Sequence, residues 1–156
     1  MIRKHGFFFL LAFIIAVFAV AQENEEEEEE ILPYPPNAIL VASYMGNVEL
    51  VKDILACGVD KDFRSASGGT ALHMAVLQRN PALTKLLLDY GFDPNAKDTK
   101  DGYTPLHMAV ASNNAEAIKL LLQYRADKNI KSRAGQTALD KARKEDKADL
   151  VRLLHR

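Results

Sequence analysis

Related stretches recur in this chain at intervals of 33, 34 and 33 residues, beginning at Asn37, Thr70, Thr104 and Thr137. The clearest copy is Thr104-Pro105-Leu106-His107-Met108-Ala109. Thr70-Ala71-Leu72-His73-Met74-Ala75 precedes it, and Thr137-Ala138-Leu139-Asp140-Lys141-Ala142 follows. A unit of this size cannot bury its apolar face alone, so the period predicts a stacked array and not a body built around one central pocket. That shifts the expected role from catalysis towards holding a partner.

Each unit contains the signals of two helices. A threonine, or Asn37 in the first unit, stands where a side-chain oxygen can cap the first turn, a contribution of about 1 kcal/mol. Pro105 follows Thr104 at the first helical position, where no amide hydrogen is needed. Leu72, Ala75 and Val76, and again Leu106, Ala109 and Val110, fall at helical spacing. Turns are expected at Gly46-Asn47, Arg79-Asn80-Pro81 and Asn113-Asn114. The second helices carry Ile54-Leu55, Leu86-Leu87-Leu88, Leu120-Leu121-Leu122 and Leu153-Leu154. Gly58 and Gly91 end the first two of them. Arg125 takes that place in the third, with some backbone strain expected. The last unit reaches about three turns into its second helix by Arg156. Extended linkers follow Asp60, Asp93 and Asp127 and turn at Gly68-Gly69, Gly102 and Gly135.

This pattern resembles the ankyrin repeat family. The resemblance is carried by Gly102-Tyr103-Thr104-Pro105-Leu106-His107-Met108-Ala109, then Ala117-Ile118-Lys119-Leu120-Leu121-Leu122, then Ala126-Asp127-Lys128-Asn129. It extends over residues 37–156. It implies an all-α solenoid of four stacked helix-turn-helix units with projecting hairpin-like loops, at 37–69, 70–103, 104–136 and 137–156. Leu40 and Asp140 stand where the family has histidine, both in end units, which are usually atypical because one face meets water.

The N-terminus reads differently. Arg3, Lys4 and His5 precede an unbroken apolar run of 15 residues, Phe7 to Ala21, closing in Ala19-Val20-Ala21. That is the layout of a signal peptide over residues 1–21, and the run is shorter than the ~20 residues of a spanning helix. Glu23 and Glu25 to Glu30 repel one another, and Pro33, Pro35 and Pro36 stiffen the approach to the first repeat. Residues 22–36 are therefore expected to be a disordered acidic and proline-rich linker. Beyond residue 30 the chain holds fourteen acidic residues against eighteen Lys and Arg. The excess includes Lys128, Lys131, Arg133, Lys141, Arg143, Lys144 and Lys147, expected to solvate the end of the stack. It is too dispersed, and too poor in aromatics, for a nucleic-acid surface. Cys57, the one cysteine, is expected to pack as a small apolar side chain near a helix end.

No nucleophile elbow, metalloprotease helix or phosphate-binding loop is present. The Asp98-Thr99-Lys100-Asp101-Gly102 stretch lacks the alternating acids of a calcium loop. His73 and His107 recur with the scaffold and have no cysteine or carboxylate cluster around them, which points to a structural role. In the family they resemble, this histidine bonds backbone groups between units. No catalytic, cofactor or metal site is expected.

Ankyrin-type arrays bind proteins through loop tips and the adjoining concave helix face. Carried over, this selects Tyr44 and Met45 in the first unit. Arg64, Ala66, Ser67, Gly69, Leu77 and Gln78 follow in the second. The third supplies Lys100, Asp101, Tyr103, Ala111 and Ser112, and the fourth Lys131, Arg133, Gln136, Lys144 and Glu145. Tyr44, Met45, Leu77 and Tyr103 are apolar or aromatic where the scaffold needs no burial, as binding hot spots often are. The expectation is a monomeric, exported, non-catalytic protein-binding adaptor in the bacterial periplasm or outside the cell. Two alternatives stand beside it: an inhibitor or immunity-type protein that blocks a toxin or hydrolase, and a membrane-tethered scaffold if residues 1–21 remain attached.

Overall fold

The computed structural model describes residues 34–155, so the expected signal peptide, the glutamate tract and Arg156 lie outside the described residues. Eight α-helices are found among the described residues: α1 (Ala38–Tyr44), α2 (Val48–Ala56), α3 (Ala71–Leu77), α4 (Pro81–Asp89), α5 (Pro105–Ala111), α6 (Ala115–Gln123), α7 (Ala138–Lys144) and α8 (Ala148–Leu154). They pair as four helical hairpins. The first helices α1, α3, α5 and α7 pack in succession, and α4, α6 and α8 do the same behind them. The last helix has seven residues, about two turns rather than the expected three.

The hairpins repeat because the same local device closes each one. Gly46, Arg79, Asn113 and Asp146 occupy the turn between the two helices, and all four have positive φ, from 53° to 69°. The next residue starts the second helix. The side-chain oxygens of Asn47, Asn80 and Asn114 accept the amide hydrogens of Leu50, Leu83 and Ala117 at 3.1, 3.1 and 3.0 Å. Asn80 and Asn114 also donate through Nδ2 to carbonyls of the preceding unit, Gly46 at 3.3 Å and Val76 at 3.0 Å. One side chain thus caps its own helix and ties two units together. Lys147 holds this place in the last unit. It gives no cap, yet its ammonium reaches the Val110 carbonyl at 2.6 Å and keeps the tie.

Between the helix layers lies a continuous core. Leu72, Ala75, Val76, Leu83, Leu87, Leu106, Ala109, Val110, Ile118 and Leu121 are buried to within 1% of completely. Small alanines at positions 42, 75, 109 and 142 let neighbouring first helices approach. One position breaks the pattern. Ser43 is fully buried where the second and third units have Val76 and Val110, and its Oγ has no partner among the described residues. Ser43→Val should therefore raise the unfolding free energy by about 1 kcal/mol, because it removes an unsatisfied hydroxyl and adds apolar contact. Chemical denaturation would show the gain, and a loss would mean that the hydroxyl has a partner.

The loops stack as the helices do. Ser65, Asp98 and Ser132 open three tight loops by donating their amides to the carbonyls of Gly69, Tyr103 and Gln136 at 2.9, 2.8 and 2.9 Å. The 34-residue spacing has its origin here, since Asp98 to Tyr103 holds one residue more than the other two loops. Asp98 Oδ1 absorbs it by accepting two amides, from Asp101 at 2.8 Å and Tyr103 at 3.2 Å. Successive loops are joined backbone to backbone, Thr99 donating to Ser67 at 3.0 Å and Arg133 to Asp101 at 2.8 Å.

Two local expectations need correcting and a third is met. Cys57 closes α2 but is exposed, because its position faces away from the stack. Asn37 makes no side-chain cap; its backbone is already near-helical, which points its oxygen away from the first-turn amides. Arg125 does take a left-handed conformation, with φ of 63°, in the place where Gly91 has 83°.

Candidate protein-binding face

Two of the expected threonine caps are reciprocal: the Thr70 and Thr104 side chains accept the backbone amides of His73 and His107, and each histidine side chain reaches back. Nδ1 of His73 accepts the Thr70 amide at 3.1 Å and its hydroxyl at 2.9 Å. The Thr104 amide and hydroxyl lie 3.3 and 2.9 Å from His107 Nδ1. With Nδ1 occupied as an acceptor, the ring proton belongs on Nε2, which donates to the next unit: Tyr103 O for His73 and Gln136 O for His107, both at 3.0 Å. The end units depart from this for a physical reason. Asp140 reproduces the accepting half, taking the Thr137 amide at 3.0 Å and hydroxyl at 2.8 Å. Among the described residues no fifth loop lies beyond it, so a donor would have nothing to reach. The histidine pair is scaffold. Among the described residues no group of three or more His, Cys, Asp or Glu is gathered to hold a metal.

Burial pushes both imidazoles below the ordinary 6.5, although the Tyr103 and Gln136 carbonyls pull the other way. The sign follows from linkage. Folded-state pKa values below the unfolded value mean that the unfolded chain takes up protons first. The stabilisation is complete above about pH 6.5 and is lost as pH falls through the folded-state values. The depressed carboxyls act lower still: Asp140, held down mainly by the Thr137 amide, and Glu145, held down mainly by Lys141. We expect the melting temperature to fall between about pH 7 and pH 5, and the His73→Gln, His107→Gln double variant to flatten that slope. An unchanged slope would place the titration elsewhere.

The residues selected from the sequence divide into two groups. Arg64, Arg133 and Tyr103 have work inside the scaffold. Arg64 donates to Lys97 O at 2.9 Å and Gly68 O at 3.1 Å, and Arg133 to Lys100 O and Thr99 O, both at 2.7 Å. Tyr103, expected to be free of packing, is half-buried. Its ring stacks on His107 with centroids 5.4 Å apart and planes 1° from parallel, and Lys141 Nζ lies over the ring, 5.0 Å from its centroid. Ser112 and Gln136 are also half-buried. The Ser112 hydroxyl turns back to Met108 O at 2.9 Å.

The second group remains open. Tyr44 is 61% exposed, Met45 68% and Leu77 36%, and beside them Val41, which the sequence reading omitted, is 49% exposed. Val41, Tyr44 and Met45 lie three and four residues apart, hence on one side of α1. Leu77 is the equivalent of Tyr44 one unit along. Met74 and Met108 repeat the place of Val41 and are half-buried. A check of which helical positions face away from the stripe of Ile39, Ala42 and Ser43 would have found Val41. Ser67, Gln78, Lys100, Asp101, Lys131 and Lys144 are also exposed, the last two in the fourth unit. Four of the five large apolar side chains exposed among the described residues therefore sit on the first-helix side of the first two units; Tyr90 is the fifth.

Stacked helical hairpins with backbone-linked loops define a repeat protein, here with an exposed apolar row on one flank. A family model for ankyrin repeats (3 copies) matches residues 38–132. The chain belongs to the ankyrin repeat family. It is 34% identical over 62 residues to a putative ankyrin repeat-containing protein of Treponema pallidum (strain Nichols), covering 40% of this chain and 21% of that one. It is 39% identical over 61 residues to the human SH3 and multiple ankyrin repeat domains protein 1, covering 39% of this chain and 3% of that one. With the potassium channel AKT1 of Arabidopsis thaliana it shares 40% over 57 residues, 36% of this chain and 7% of the channel. The chain thus spans about a fifth or less of the length of these relatives.

Proposed function

We propose that this chain is an exported, non-catalytic adaptor or scaffold that holds a protein outside the cytoplasm, in the periplasm, through its first-helix face. The observation that carries the binding reading is the exposed row of Val41, Tyr44, Met45 and Leu77 on a scaffold whose other polar and apolar groups are nearly all satisfied. An apolar row rimmed by polar loops is a protein-interaction surface more often than a solvated one. Export rests on the basic start, the apolar run and the small residues at Ala19 and Ala21.

Both halves can be tested in the native cell. A photocrosslinking residue in place of Met45 is expected to capture a discrete protein. The same residue in place of Tyr90, away from this face, is expected not to. Equal capture from both positions would remove the face assignment. N-terminal sequencing is expected to begin at Gln22 in protein recovered from the extracytoplasmic fraction. An intact Met1 in a cytoplasmic fraction would remove the export assignment.

A further inference from the structure

The first-helix face changes character along the stack. At one set of equivalent positions the side chains run Tyr44, Leu77, Ala111, Lys144, and at another Val41, Met74, Met108, Lys141. The large exposed apolar groups stand over α1 and α3. Over α5 the first set has shrunk to Ala111, beside half-buried Ser112, and the second keeps only the half-buried Met108. Over α7 the same places hold cations.

Those cations are not all neutralised in place. Among the described residues the Lys144 and Lys131 ammoniums have no hydrogen-bond or ion-pair partner. The acids nearby are already engaged. Glu145 is held by Lys141 at 2.8 Å and Lys147 at 2.7 Å, and Asp140 by Thr137, though its charge also lies within the field of Lys131. Asp101 and Lys100 are both exposed, side by side in sequence, on the neighbouring loop. Glu145 and the Tyr103 hydroxyl hold Lys141 in its charged form against partial burial.

We propose that the partner is a protein segment with apolar side chains at one end and carboxylates at the other. It lies across the four first helices, its apolar end over α1 and α3 and its acidic end over α7. This rests on the binding-face reading above. The physical reason is complementarity. Tyr44, Met45 and Leu77 reward apolar burial, whereas Lys131 and Lys144 attract carboxylates and repel cations, which sets the register of the segment. Packed helices stand about 8–10 Å apart, so the path from α1 to α7 is about 24–30 Å, the reach of about nine extended residues.

Two synthetic peptides of about nine residues serve as probes. Both carry a Leu-Phe-Leu end; one finishes in glutamates and the other in lysines, and each is made in both chain directions. Binding to the purified full chain is read by fluorescence anisotropy. The glutamate peptide is expected to bind about tenfold or more tightly than the lysine peptide in about 0.05 M salt, with the gap closing near about 0.5 M. The Lys131→Glu, Lys144→Glu double variant should reverse the preference, and Tyr44→Ala with Met45→Ala should weaken both peptides.

Equal affinities, or a preference that survives the charge reversal, would overturn the acidic assignment. If binding still depended on Tyr44 and Met45 in that case, the protein-binding reading would stand. Binding of neither peptide at millimolar concentration, or binding indifferent to Tyr44 and Met45, would overturn both.

Discussion

Leu106→Ala is expected to lower the unfolding free energy by about 3–4 kcal/mol, a large part of the 5–15 kcal/mol typical of a domain this size. Leu106 is 1% exposed and opens α5, which packs against α3 on one side and α7 on the other. Removing its isobutyl group loses transfer free energy and leaves a cavity between two units. Neighbouring helices pinned by His107 and Asn114 cannot collapse fully into that space. The repeat supplies its own control. Leu139 is the equivalent side chain in the last unit and is only half-buried, because no helix covers α7 on the far side among the described residues. Leu139→Ala should cost about half as much or less. Urea denaturation of both variants checks the pair, and equal losses would mean that the last unit is as well covered as the third.

The second large effect is expected at Gly68. Its φ is 75°, and a Cβ built there would lie 2.4 Å from the backbone nitrogen of Thr99. That nitrogen donates to Ser67 O, the bond that joins two loops. Gly68→Ala would pay the left-handed penalty of about 1–2 kcal/mol and also push the loops apart. We expect a total near 3 kcal/mol. Gly58 separates the two causes. It has φ of 77° but nothing within 4 Å of its Cβ position, so Gly58→Ala should show the backbone penalty alone. Thermal melts that fall equally for the two variants would show that contact between loops is unimportant.

Much of this was legible in the residues. The Thr-Pro-Leu-His stretch, the asparagines before the second helices and the leucine triplets each act within one unit, and a unit's own chain places their partners three or four residues away. The long reach of His73, Asn114, Lys147 and Arg133 was only partly legible. Their acceptors are backbone carbonyls 30 to 38 residues distant, and carbonyls have no residue signature. His73 and His107 could be assigned to the scaffold by resemblance. Arg64 and Arg133 looked like candidate interface cations because a guanidinium bound to a carbonyl reads, in sequence, like one bound to nothing.

The binding face divides along the same line. Tyr44, Met45 and Leu77 were selected in advance and are exposed, whereas Tyr103, chosen by the same reasoning, is stacked on His107 with Lys141 over its ring. What tells them apart is the identity of the residue one unit further on, and its height above the stack.

Periodicity alone determined that this chain builds a pile of helical hairpins, since a unit of about 33 residues has no core until it meets a neighbour. It likewise set which helix faces inward and where the chain turns. Only the tertiary structure decided which surface side chains are spent holding one unit to the next and which are left facing water, because that depends on distances between units and not on order within them.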